Sequence, residues 1–124
     1  VFISFAMEDL DEVNLLRAHA KNEKSDIEFN DYSVREPYDS ERAEYIRQKI
    51  TERIERASVT VVYLSESTPQ SEWVKWEVEK SLSLGKRVVA MYASDKPPSQ
   101  LPAWVSEKKI GLVPWKNLAD ELGK

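Results

Sequence analysis

Short apolar runs alternate along the chain with segments whose apolar residues recur at helical spacing. The runs are rich in Val, Ile and aromatic residues, as strands are, and cover residues 1–5, 27–32, 59–64, 88–92 and 110–113. The run at 59–64, VTVVYL, is nearly all apolar and favours a central parallel strand buried on both faces. Spacings of i, i+3 and i+4 predict helices at 9–20, 43–57, 71–84 and 117–122.

Capping and turn residues mark the ends of these elements. Asp9 and Glu12 have the spacing of a capping box at the start of the first predicted helix. Ser71 suits the N-cap of the third helix, and Gly85 lies where a C-cap glycine is expected. The segments SVREPYDS at 33–40 and ASDKPPSQLP at 93–102 are rich in turn formers, so we expect loops there.

The alternation of strands and helices predicts an α/β fold. We expect a flavodoxin-like three-layer sandwich, with a parallel five-stranded sheet of order 2-1-3-4-5 and helices on both faces. Residues 1–124 are expected to form one domain, whose N-terminus could be trimmed because the chain starts inside a strand-like run at Val1. A ligand of such a sheet binds beyond the carboxyl ends of the first and third strands, beside loops 6–8, 33–40 and 65–71.

Composition narrows the classes of function. With 18 basic and 22 acidic residues the net charge is −4, which argues against a nucleic-acid partner. The chain has no cysteine, so disulfides, thiolate zinc sites and cysteine nucleophiles are excluded, and a reducing cytoplasmic location is expected. No apolar stretch reaches the roughly 20 residues that span a bilayer, so no membrane partner is expected. With 3 glycines, neither GxGxxG nor GxxxxGK[ST] is present.

The third predicted helix carries a carboxylate at the edge of its apolar face. A helical wheel places Val74 and Val78 against the sheet, with Glu77 on the flank beside Trp73. A half-desolvated carboxylate there would have a raised pKa, and could hold ribose hydroxyls and stabilise an oxocarbenium-like centre. The alternative is an ordinary helix carboxylate paired with a lysine at 75 or 80.

Several segments together resemble a known family. They are VFISF, FNDYS, AEYIRQKITERI, VTVVYLSEST and SEWVKWEVEKSLSLGKRVV, and they are similar to the bacterial TIR-like domains of the Thoeris defence type over residues 1–92. The similarity is strongest at SEWVKWE. Val74 stands where ordinary TIR domains commonly have cysteine, and SVREPYDS lacks their proline-glycine turn, so the TIR-like branch fits better.

The resemblance implies an NAD-consuming enzyme. In TIR NAD hydrolases the catalytic glutamate lies four residues after a tryptophan, which corresponds to Glu77 after Trp73. NAD would be the substrate rather than a cofactor, cleaved at the nicotinamide N-glycosidic bond by a hydrolase or ADP-ribosyl cyclase in anti-phage signalling. The family also implies self-association with other TIR-like protomers. The alternative is a non-catalytic module for interaction and assembly.

Residues at the predicted strand ends are candidate contacts for the substrate. Besides Trp73, they are Phe5, Ala6, Tyr32, Ser33, Arg35 and Arg42. An aromatic ring at 5 could stack on a base or belong to the core, and the pair at 32–33 could bind ribose or close a turn. The two arginines could bind the pyrophosphate or be surface charges. The single histidine, His19, makes a metal site or a catalytic triad improbable.

Overall fold

A sheet of four parallel strands organises the protein. The computed structural model describes residues 2–22, 43–93, 96–118 and 121. The strands, in chain order, are β1 (Phe2–Ser4), β2 (Val59–Tyr63), β3 (Arg87–Tyr92) and β4 (Gly111–Pro114), and they lie side by side in that order. The predicted strand at 27–32 and the predicted loop at 33–40 lie outside the described residues. The described order therefore agrees with the predicted sequence 1-3-4-5, and the complete five-stranded order stays a prediction.

Strand pairing fixes which side chains share a face. Ser4 at the end of β1 lies beside Val62 of β2, and Val62 lies beside Ala90 of β3. All five residues of β2 are buried, which confirms the central strand inferred from its nearly continuous apolar sequence. Because neighbouring residues of a strand point to opposite faces, the odd and even positions of β2 contribute to different layers of the core.

Helices cover both faces of this sheet, as predicted. They are α1 (Leu10–Asn22), α2 (Ala43–Arg56), α3 (Glu72–Ser83) and the short α4 (Ala103–Glu107). One face packs with α1, where Val13 joins the cluster that contains Val61 and Met91. On the other face, α3 and α4 pack on Val62 and Ala90, while the apolar stripe of α2 packs on β1.

The helix α4 was missed by the sequence analysis. The prolines of 93–102 predicted only a loop, yet Pro102 is the N-cap of a helix of 5 residues. Trp104 and Val105 in this helix are 6% and 5% exposed and pack against α3. Burial of two large side chains stabilises a helix that is too short to be predicted from periodicity. The final helix, predicted at 117–122, is described only in part: a 3₁₀ turn at Trp115–Asn117 leads into Leu118 and Glu121, which are helical, and residues 119–120 and 122–124 lie outside the described ranges.

Both ends of α3 are fixed by the residues that the sequence indicated. The hydroxyl of Ser71 accepts a hydrogen bond from the amide of Val74 at 3.2 Å, which confirms the N-cap. At the other end Gly85 has φ +74°, and its amide donates to the carbonyl of Leu82. The amide of Lys86 donates to the carbonyl of Ser81, which completes a Schellman motif.

The left-handed conformation of Gly85 makes a testable contribution to stability. Gly85→Ala meets no atom of the described residues within 4 Å, so its cost is the strain of a Cβ at φ +74° and amounts to about 1 kcal/mol. Gly111→Ala is the matched control, because its Cβ also meets nothing within 4 Å and its φ is not positive. Urea denaturation is expected to show a loss for the first variant only, and equal midpoints would contradict the assignment.

Candidate active site

Glu77 lies between α3 and the sheet, where its carboxyl group meets the end of β1. The hydroxyl of Ser4 donates a hydrogen bond to Glu77 Oε1 at 2.7 Å. Ser4 is 0% exposed and Glu77 is 4% exposed, so this bond is formed in a dry environment. It joins the last residue of a parallel strand to the second turn of a helix, close to the carboxyl edge of the sheet where ligands of such folds bind.

The structure corrects the expected exposure of Glu77. The sequence predicted a half-desolvated carboxylate on the flank of the helix, but the residue is buried together with Val74 and Val78. The reason is that the facing strand presents a small polar residue, Ser4, which leaves room for the carboxyl group and supplies a donor. Ion pairing with a lysine at 75 or 80 was the alternative, and it is wrong because Glu77 has no such contact within the described residues.

Burial changes the ionisation of this carboxyl group. Desolvation raises the pKa of Glu77 from 4.5 to about 8, and the hydrogen bond from Ser4 opposes part of the rise. At neutral pH the group is therefore mostly protonated. Within the described part of the chain, Oε1 has Ser4 as its donor and Oε2 has none. One carboxyl oxygen is thus held in place by a hydrogen bond, while the other can still form one.

A second buried hydrogen bond, between two hydroxyl groups, joins α3 to the sheet one helical turn further along. The hydroxyls of Thr60 and Ser81 are hydrogen-bonded at 2.8 Å, and both residues are 0% exposed. The Ser81 hydroxyl also donates to the backbone carbonyl of Glu77 at 2.7 Å. The buried hydroxyls of Thr60 and Ser81 are therefore both paired, as buried polar groups usually are.

Trp73 lies four residues before Glu77 on α3 and packs against α2. It lies against the α2 cluster that contains Phe2 and Ile50, and its ring meets that of Trp76 edge to face at 6.1 Å. The guanidinium of Arg47 on α2 lies 5.7 Å from the centre of the Trp73 ring. The indole is thus held between α3 and α2.

The other predicted contacts divide into two sets. Phe5 is 7% exposed and belongs to the core cluster under α1, and Ala6 is 1% exposed with its carbonyl accepting from the Asp9 amide at 2.9 Å. This packing favours the core role for the ring at position 5. The other four lie outside the described residues: Tyr32, Ser33, Arg35 and Arg42.

A polar cluster at the carboxyl end of β2 was not predicted. The Ser65 hydroxyl donates to the Asp9 carboxylate at 2.5 Å, and the Tyr63 hydroxyl donates to Glu12. Asp9 and Glu12 therefore do not act as the predicted capping box: their carboxylates accept hydrogen bonds that join the start of α1 to the end of β2. Burial raises the pKa of Asp9, the bond from Ser65 lowers it, and neighbouring carboxylates raise it further. A signal for this cluster was present in the polar residues directly after an apolar strand.

A cleft of about 400 Å³ opens beyond β2 and β3, and its lining includes Tyr63, Ser65, Tyr92 and Lys96 but not Glu77.

Among the described residues, no group of three His, Cys, Asp or Glu side chains is arranged to hold a metal ion. None of the helices in the described ranges has the length and apolar character needed to cross a membrane.

The parallel sheet, the helices on both faces and the buried glutamate in the helix after β2 define a TIR-like α/β domain. The chain belongs to the family described as the TIR-like domain of the Thoeris protein ThsB, whose model matches residues 2–97. This confirms the resemblance inferred from the sequence motifs.

Solved structures agree with this fold. The TIR domain of the Toll-related receptor TRR-2 from Hydra magnipapillata has a TM-score of 0.68 and 17% identity, over 99% of this chain and 97% of that one. The CMP N-glycosidase BcmB of Clostridium botulinum has a TM-score of 0.57 and 11% identity, over 100% of both chains. No curated protein sequence matches the chain.

The raised pKa of Glu77 predicts how stability depends on pH. Between pH 4.5 and about 8 the folded protein keeps a proton that the unfolded chain releases, so the free energy of unfolding falls as pH rises through this window. Glu77→Gln keeps a carbonyl acceptor for Ser4 but cannot ionise. The variant is expected to gain stability relative to the unsubstituted protein as pH rises to about 8, by a few kcal/mol in urea denaturation.

Asp9 titrates in both proteins, so the difference between the two stability curves isolates Glu77. Parallel curves across that window would show that the carboxyl group ionises normally in the folded state.

Proposed function

We propose that this protein consumes NAD, breaking the N-glycosidic bond between nicotinamide and ribose with Glu77 as the catalytic carboxylate. The product is ADP-ribose when water completes the reaction, or a cyclic ADP-ribose isomer when a group of the same molecule does. NAD is the substrate, and no further cofactor is proposed. The observation that carries the proposal is the buried carboxyl group at the carboxyl edge of the sheet, 4% exposed and hydrogen-bonded to Ser4.

The chemistry of the bond suits a single carboxylate. Cleavage leaves the electron pair of the C1′–N bond on the nicotinamide nitrogen, so the positively charged pyridinium departs as neutral nicotinamide and needs no general acid. Positive charge develops at C1′ and the ring oxygen of the ribose, and an ionised Glu77 stabilises it in a site of low dielectric. Water then adds to C1′ and gives up a proton, or an internal nucleophile takes its place.

The substrate itself would bring Glu77 into its active form. The free carboxyl group is mostly protonated at neutral pH, since its pKa is about 8. A pyridinium cation beside it favours the carboxylate and lowers that pKa. The half-buried Trp73 next to the helix turn offers an apolar surface for the nicotinamide ring.

The comparisons support this reaction class. The family is that of a Thoeris protein, which fits the proposed role in anti-phage defence signalling in the cytoplasm. BcmB, which has a similar fold, is named a CMP N-glycosidase, and an N-glycosidase cleaves the same kind of bond in another nucleotide. We also propose that Tyr32, Ser33, Arg35 and Arg42 bind the dinucleotide, and that protomers self-associate to complete the site.

Nicotinamide release tests the proposal directly. Incubation with NAD, followed by mass spectrometry of the products, is expected to show nicotinamide together with ADP-ribose or a cyclic isomer. Glu77→Gln is expected to lower the rate at least about 100-fold, because it removes the charge that stabilises the transition state. Glu79→Gln is the matched control, since Glu79 is an exposed residue of the same helix, and it should keep the rate.

The measurement should cover a range of protein concentrations, because an assembled site would show a rate per protomer that rises with concentration. A non-catalytic interaction module would instead release no nicotinamide at any concentration and bind no NAD in calorimetry. Its self-association would also be the same in Glu77→Gln. Full turnover by that variant would remove the proposed role of the residue.

A further inference from the structure

We infer that Ser4 is a positioning residue for the proposed reaction, because its hydroxyl holds Oε1 of Glu77 and leaves Oε2 for the substrate. This inference rests on the proposed function of Glu77. It assigns a role to a residue that the sequence analysis treated only as part of an apolar strand.

The geometry of the bond supports the assignment. The donor and acceptor are 2.7 Å apart, and both residues are almost fully buried, so water does not compete for either partner. Ser4 is fixed by its parallel pairing with Val62, and Glu77 is fixed within α3. A hydroxyl has one proton to donate, and here it selects one of two otherwise equivalent carboxyl oxygens.

The bond also acts on the charge of the carboxyl group. Burial and the Ser4 hydrogen bond are the two causes of the altered pKa of Glu77, and the second favours the ionised form. The elements that pack around the site carry charged groups, including Arg47 on α2 and Lys80 on α3, but none of the described charges is among the causes. Ser4 is therefore the described group that offsets part of the cost of ionising Glu77.

The two contacts of α3 with the sheet provide a matched pair of variants. Ser4→Ala removes the hydroxyl that meets the carboxyl group of Glu77. Thr60→Val removes a hydroxyl that is equally buried between the same helix and the sheet, but which bonds to Ser81 rather than to that carboxyl group. Each is expected to lose a similar amount of stability, so a difference in pH dependence separates positioning from general loosening.

The experiment is the pH profile of kcat/KM for nicotinamide release by the full chain. For the unsubstituted protein the profile should rise with pH through an inflection near 8, the pKa of the free carboxyl group. In Ser4→Ala the inflection should move up by about one pH unit, and kcat/KM at neutral pH should fall about tenfold. Thr60→Val should leave the inflection in place, and Ser4→Thr, which restores a hydroxyl, should return it toward the original position.

Titration of the Glu77 side-chain carbon by ¹³C nuclear magnetic resonance gives a second measurement that does not depend on turnover. It should show the same upward displacement in Ser4→Ala. An unchanged inflection in active Ser4→Ala, or an equal displacement in Thr60→Val, would overturn the inference while leaving the proposed function intact. Absence of nicotinamide release from the unsubstituted protein under all conditions would instead overturn the proposed function, and the positioning role with it.

Discussion

The contact between Glu77 and Ser4 is the constraint around which the α3 side of the sheet is arranged. A carboxyl group placed between a helix and a sheet loses its hydration, and this loss is costly unless the group stays protonated or gains hydrogen bonds. Here both occur, since the pKa is raised and Oε1 accepts from Ser4. An apolar residue at position 77 would pack against Val74 and Val78 without this cost, so the fold alone does not explain the glutamate.

The surrounding residues accommodate the carboxyl group without opening the core. α3 presents Val74 and Val78 to the apolar cluster, and beside them a polar row formed by Glu77 and Ser81. On the sheet, Ser4 and Thr60 of neighbouring strands form hydrogen bonds with these two residues. Because Ser4 and Thr60 are small and carry hydroxyl groups, the helix can approach the sheet closely. Among the described residues, Oε2 of Glu77 can still accept a hydrogen bond.

The sequence predicted the elements that depend on local signals and failed where contacts between distant residues decide. Ser71 and Gly85 were identified correctly as the ends of α3, because capping is determined by a few adjacent residues. The depth of Glu77 was underestimated because it depends on Ser4, 73 positions away. Asp9 has the sequence spacing of a capping box, but in the structure its carboxylate accepts a hydrogen bond from Ser65. Helix α4 forms because Trp104 is buried, and the prolines that precede it in the sequence predicted a loop instead.

The two buried acids differ in what raises their pKa, and this difference bears on the role proposed for Glu77. Asp9 lies among other carboxylates, since Glu8 and Glu12 both contribute to its raised pKa, and Ser65 already bonds to it at the end of β2. Its surroundings are thus set by the protein's own charges. The pKa of Glu77 is raised by burial without any contribution from a neighbouring charge among the described residues. Beside Glu77 a cation would be the dominant charge among its described neighbours, so it would change the ionisation of Glu77 more than a cation beside Asp9 would change that of Asp9.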